Sequence, residues 1–185
     1  SRGALSDLRR LRVRDADVSV SDEATGQVWH LDGGRVDFQR GRELLTAAFD
    51  FPIRLGPAAW HVSGAGSYVG RTGGGSFRVG FNGLRPALLP SGQPWTDALR
   101  RIDMPLTGQV LVSLSGGKPT TAFADLSAGP GRITIPELYS APQTFDAITL
   151  RGRYAFDARR LDIEQSEVRR EATTAKWNGH VDFGP

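Results

Sequence analysis

The stretch Leu45-Thr-Ala-Ala-Phe-Asp-Phe-Pro-Ile-Arg-Leu55 decides the fold. Its odd positions are Leu45, Ala47, Phe49, Phe51, Ile53 and Leu55, while the even ones carry Thr46, Asp50 and Arg54. Successive side chains of a strand point to opposite faces, so this period of two predicts a long β-strand with one apolar face. At about 3.3 Å per residue it spans roughly 35 Å. The same pattern recurs at Leu106, Gly108, Val110, Val112, Leu114 and at Ile148, Leu150, Gly152, Tyr154, Phe156. Shorter runs are Phe77-Val79-Phe81, Val36 with Phe38, Ile133 with Ile135, Leu161 with Ile163, and Ala175 to Phe183. Near the start, Leu11 and Val13 have one parity and Ala16, Val18 and Val20 the other, which predicts a bulge near Arg14-Asp15.

Between these runs lies turn chemistry: Asp22 to Gly26, Asp32-Gly33-Gly34, Gly73 to Gly75, Gly116-Gly117-Lys118-Pro119, Gly129-Pro130-Gly131 and Asp157 to Arg160. Each is expected to join two antiparallel strands, giving an all-β meander. At most one short helix is expected, near residues 95–102, where Trp95, Leu99 and Ile102 follow a helical period and Pro105 ends it. Residues 84–105, with Pro86, Pro90, Gly92 and Pro94, form the least regular stretch and the best candidate for a joint between two β sections. With 185 residues the chain reads as a single β-rich domain. It opens at Ser1 with neither Met nor a leader pattern, so it is expected to be a fragment of a larger protein or a processed chain. Two weak echoes, Leu106-Thr-Gly108 with Leu150-Arg-Gly152 and Trp29-His30-Leu31 with Trp60-His61-Val62, suggest repetition of a strand pair.

The chemistry of the side chains is mostly exclusionary. Cysteine is absent, which removes disulfides, thiolate metal sites and a Cys nucleophile. The net charge is +3, and of the 23 cations all but Lys118 and Lys176 are Arg. The paired arginines are interrupted by acids and lack an interleaved aromatic series, so no nucleic-acid partner is expected. Gly116-Gly117-Lys118 is followed by Pro119 where a phosphate loop needs Ser or Thr, and no Gly-x-Ser-x-Gly occurs. His30, His61 and His180 stand singly, without the spacing of a metal site. The carboxylate pairs Asp15/Asp17, Asp22/Glu23 and Glu164/Glu167 are best read as neutralised surface charge. The chain is therefore expected to have no enzymatic activity, cofactor or metal.

The string Leu8-Arg-Arg-Leu11-Arg-Val13-Arg-Asp15-Ala16-Asp17-Val18-Ser-Val20-Ser-Asp22, with Thr25-Gly26-Gln27-Val28-Trp29-His30-Leu31, is similar to a recurring block of AsmA-like proteins, particularly the YhdP-type members and their TamB relatives. Pro105-Leu106-Thr-Gly108 and Leu150-Arg-Gly152 resemble further strand-opening elements of that superfamily. The resemblance implies long antiparallel strands in an open, taco-like groove within a periplasmic protein anchored in the inner membrane of a Gram-negative bacterium. It also implies a part in carrying phospholipid between inner and outer membrane.

Physical chemistry reaches the same expectation by another route: a sheet with one apolar face must cover it with a sheet, with helices or with lipid, and helices are nearly absent here. The expected lining of such a groove is Leu45, Ala47, Phe49, Phe51, Ile53, Leu55, Val110, Val112, Leu114, Tyr154 and Phe156. The expected partner is a phospholipid or other acyl-chain ligand, with self-association through sheet edges. Two alternatives stay open: these residues form the core of a closed sandwich, or the chain is a carbohydrate- or protein-binding β-sandwich that stacks ligand on Trp29, Trp60, Trp95 or Trp177.

Overall fold

A computed structural model describes residues 9–22, 26–89, 94–136 and 139–183. The protein is all-β, built on one antiparallel sheet of ten strands that does not close into a barrel. In chain order these are β1 (Arg10–Asp22), β2 (Gln27–Arg40), β3 (Leu44–Leu55), β4 (Ala58–Val69), β5 (Gly74–Leu84), β7 (Leu106–Ser115), β8 (Lys118–Ala128), β11 (Ala147–Ala155), β12 (Arg160–Arg170) and β13 (Thr173–Asp182). They lie side by side in that order, so the sheet is a meander. A second sheet of three short strands, β6 (Ile102–Asp103), β9 (Gly131–Ile133) and β10 (Gln143–Phe145), has the order β10-β9-β6. The helix expected near residues 95–102 is α1 (Pro94–Leu99), and Ile102 already belongs to β6.

Tight connections at residues 41–43, 70–73, 116–117 and 156–159 gather at one end of the large sheet, which we call the hairpin end. The longer segments 85–105 and 129–146 leave from the opposite, capped end and contribute β6, β9 and β10. Because β5 pairs directly with β7, the 84–105 stretch is an excursion that returns to the same sheet.

The predicted bulge is present. Pairing of β1 with β2 shifts between Val13 and Ala16, where Asp15 takes φ 53°. The shift lets Leu11, Val13, Ala16 and Val18 share one face despite their change of parity. The expected turn at Asp32-Gly33-Gly34 is instead a bulge inside the 14-residue β2. Gly33 has φ 71° and its N–H donates to Asp17 Oδ1 at 3.0 Å. A glycine in the left-handed region suits a bulge as well as a hairpin turn, and here β1 pairs on both sides of it.

Across the polar face, charged pairs sit at register positions. Arg12 Nε donates to Asp37 Oδ2 at 2.8 Å, and Arg151 Nη2 donates to Asp125 Oδ2 at 2.6 Å. Exposed pairs of this kind contribute only about 0–1 kcal/mol each. Their placement still opposes a one-residue slip, which would carry both charges onto the apolar face.

Candidate apolar ligand face

Residues directly opposite in antiparallel pairing lie on one face, so register traces the apolar face across all ten strands. From Phe49 it runs to Val36 and Val13 on one side and to Gly64, Val79, Val110, Ala124, Gly152, Ile163 and Gly179 on the other. A parallel row nearer the hairpin end contains Ala47, Gly66, Phe77, Val112, Ala122, Tyr154, Leu161 and Val181. The structure therefore brings ten of the eleven sequence-predicted lining residues to one face by register, and the eleventh, Phe156, stands in the turn after β11 with its ring against Tyr154. Leu45, Ala47, Phe49, Phe51, Ile53 and Leu55 line it from β3, Val110, Val112 and Leu114 from β7, and Tyr154 from β11, with Phe156 just beyond that strand.

None of the eleven is fully buried: ten are half-buried and Phe156 is 38% exposed. The chain presents 12234 Å² of solvent-accessible surface, whereas a compact monomer of 20.0 kDa presents about 8,700 Å². Buried apolar side chains among the described residues are confined to Pro86, Trp29, Trp60, Met104 and Ala128. A closed sandwich would bury alternate residues along every strand. The face instead stays open over most of its length.

Aromatic rings make the open surface continuous. Phe49 stacks on Phe51 with centroids 5.8 Å apart and meets Phe77 at 6.2 Å. These rings lie down over glycines of neighbouring strands: Phe51 over Gly34, Phe49 over Gly64 and Phe77 over Gly66. A glycine beneath each ring lets it rest on the backbone, an arrangement that fills the gap left by the missing side chain. A second cluster at the hairpin end joins Tyr154 to Phe156 at 5.0 Å and to Phe183 at 6.0 Å.

At the capped end the small sheet lies on this face. Met104 is wholly buried beneath it, and Ile102, Met104 and Ile133 enclose a cleft of about 150 Å³ with Leu106, Leu126, Ala128, Ile148 and Leu150. Met104 escaped the sequence reading because it lies in Asp103-Met104-Pro105, a segment too short for any periodicity. Ser166, a polar residue on the apolar face, is buried and donates its hydroxyl to the Thr149 carbonyl at 2.9 Å.

The tryptophans divide. Trp29 and Trp60, on β2 and β4, reach across β3 to meet edge to face at 5.8 Å and 89°, and both are buried. Neither is available for sugar stacking. The Trp29 indole N–H is buried with no acceptor among the described residues. Trp177 on the edge strand β13 is 44% exposed, and the Trp95 side chain lies outside the described residues.

The polar face has its own electrostatics. Hydrogen bonds from the Gln39 amide and the Arg12 guanidinium hold the Asp37 carboxyl below the usual carboxylate range. His61 and Asp50 approach at 3.1 Å, and Ser19 lies 3.2 Å from the His30 ring. Of the candidate carboxylate pairs, Asp17 holds Gly33 and Glu167 pairs with Lys176 at 3.3 Å, while the Asp22 side chain and Glu23 fall outside the described residues. Among the described residues no three His, Asp or Glu side chains gather as metal ligands, and no helix is long and apolar enough to cross a membrane. Comparison of the chain with protein-family models, curated proteins and solved structures finds no match.

Proposed function

We propose that this chain is a non-enzymatic segment of a cell-envelope protein and that its open apolar face binds or conducts phospholipid between inner and outer membrane. The observation that carries the reading is the uncovered apolar face itself, ten strands wide and paved by Phe49, Phe51 and Phe77. A contiguous apolar face left uncovered across a sheet is the kind of surface that calls for a ligand or partner. Acyl chains suit it because each buried methylene gains about 0.8 kcal/mol without directional contacts. The periplasmic location and the inner-membrane anchor come from the AsmA-like resemblance. Self-association belongs to the same reading: β13 is exposed along its whole length, whereas β1 is blunted by its bulge and by Arg10, Arg12 and Arg14.

Equilibrium binding of a phosphatidylethanolamine with a fluorophore on one acyl chain tests this. The wild-type chain gives saturable binding. Phe49→Asp and Val112→Asp, folded by circular dichroism, lose at least about tenfold in affinity, the equivalent of about 1.4 kcal/mol, while Arg78→Asp on the polar face keeps it. No saturable binding by the wild type, or equal binding by Phe49→Asp, refutes the reading.

A further inference from the structure

We propose that the cleft beneath the small sheet receives the methyl end of an acyl chain whose remainder lies along the open face. This rests on the phospholipid reading above and adds to it a defined end-site, with the small sheet acting as a stop. Three observations carry it. The cleft wall is formed by Ile102, Met104 and Ile133 from above and by Leu126, Ile148 and Leu150 from the large sheet, and its one polar lining residue, Ser127, donates its hydroxyl to the Thr107 carbonyl at 3.2 Å. Its volume, about 150 Å³, matches the apolar cavities that stay dry and accept a benzene-sized guest, which is the size of a chain end rather than of a headgroup.

The third observation is continuity. Leu126 and Leu150 are register partners on the open face, and the next row toward the hairpin end is Val110, Ala124 and Gly152. A chain lying along the strands over that row thus runs into the cleft. Three other cavities mix apolar with charged side chains: Val13, Val36 and Phe49 stand with Arg12, Arg14 and Asp37 in one, Phe81 and Leu126 with His61 and Asp125 in another, and Leu88 with Arg85 and Asp103 in the third. Of these four cavities, the cleft beneath the small sheet is the one whose wall carries no charged side chain. The orientation follows, with the methyl end under the small sheet and the polar headgroup toward the hairpin end.

The test uses two phosphatidylcholines bearing one palmitoyl chain each with a photoactivatable diazirine, near the methyl end in one and at mid-chain in the other. Crosslinked peptides are mapped by mass spectrometry. The methyl-end probe is expected to label residues 102–104, 133 and 148–150 at least tenfold more than residues 45–55, and the mid-chain probe to label the open face. Ile133→Trp, which fills the cleft from the small sheet, is expected to cut methyl-end labelling at least tenfold and to spare mid-chain labelling. If Ile133→Trp fails to fold, the wild-type map alone decides. Even labelling of the open face by the methyl-end probe, or undiminished methyl-end labelling of folded Ile133→Trp, overturns the end-site while phospholipid binding stands. Absence of labelling by both probes above competitor-blocked background overturns the phospholipid reading and the end-site with it.

Discussion

Gly64 and Gly66 lie two residues apart on β4 and on the same apolar face, yet a methyl group at each meets different obstacles. At Gly64 the nearest atoms all belong to the Phe49 ring, with Cζ at 2.6 Å and Cδ1 at 3.1 Å. At Gly66 the methyl meets Phe77 Cδ2 at 2.5 Å, and also the Ser76 carbonyl oxygen at 2.6 Å and Phe77 Cα at 3.1 Å. A ring on an open face can lift into solvent or ligand, whereas a carbonyl in the β4–β5 ladder cannot move without breaking pairing. Replacing Gly by Ala inside a strand gains about 0.5–1 kcal/mol, and tilting Phe49 away from Phe51 and Phe77 loses about 0.5–1.5 kcal/mol of ring contact. Gly64→Ala should therefore stay within about 1 kcal/mol of wild type. Gly66→Ala carries a backbone shift of about 1–3 kcal/mol as well, for a net loss near 2 kcal/mol. In a chain of 185 residues each kcal/mol moves Tm by about 2–4 °C. Thermal unfolding followed by circular dichroism should then find Gly64→Ala within about 4 °C of wild type and Gly66→Ala lower by roughly 4–8 °C. If Gly64→Ala falls as far as Gly66→Ala, the Phe49 ring is pinned from above and the face is not open.

Two further outcomes follow from burial and charge. Trp60→Ala removes a ring that is only 5% exposed and packed on Trp29, so it should cost about 3–5 kcal/mol. Trp177→Ala on the exposed edge strand should cost less than about 1 kcal/mol, and equal losses in urea titrations would contradict this division of the tryptophans. Asp37 is held ionised in the folded chain by Gln39 and Arg12, so its folded pKa lies below its unfolded one. Its stabilising contribution is present above the unfolded carboxylate value, about 3.9, and is lost as pH falls through the folded value. The Tm advantage of wild type over Asp37→Asn should thus shrink between pH 6 and pH 3, and an advantage constant over that range would refute the assignment.

The alternation of residues 45–55, 106–114 and 148–156 predicts strands that the structure contains, and the parity switch between Val13 and Ala16 points to the bulge at Asp15. Period two is a direct image of the pleat, which is why the residues of one face could be named before their partners were known. The Trp-His echo at residues 29–31 and 60–62 also has a physical counterpart, since the two indoles touch across β3. What the sequence hides depends on partners rather than on period. Asp32-Gly33-Gly34 reads equally as a turn or a bulge because both need a left-handed residue, and only the pairing of β1 on both sides decides. Strands of two or three residues, as in β6, β9 and β10, are too short to show alternation. The cleft they roof was therefore invisible, although Leu106, Ile133, Ile148 and Leu150 already stood in the alternating runs. Glycines at 64, 66 and 75 look like breaks in alternation, yet pairing runs through them without a shift. Two of the three lie beneath a ring from an adjacent strand, Gly64 under Phe49 of β3 and Gly66 under Phe77 of β5.

Native mass spectrometry of the chain, purified without detergent exchange from bacterial envelopes and followed by organic extraction, tests the open lipid-binding face most directly. The expected result is phospholipid bound at stoichiometric occupancy to the wild-type chain and lost from folded Phe49→Asp. A wild-type chain that carries only its own mass, monomeric and melting cooperatively, would contradict it.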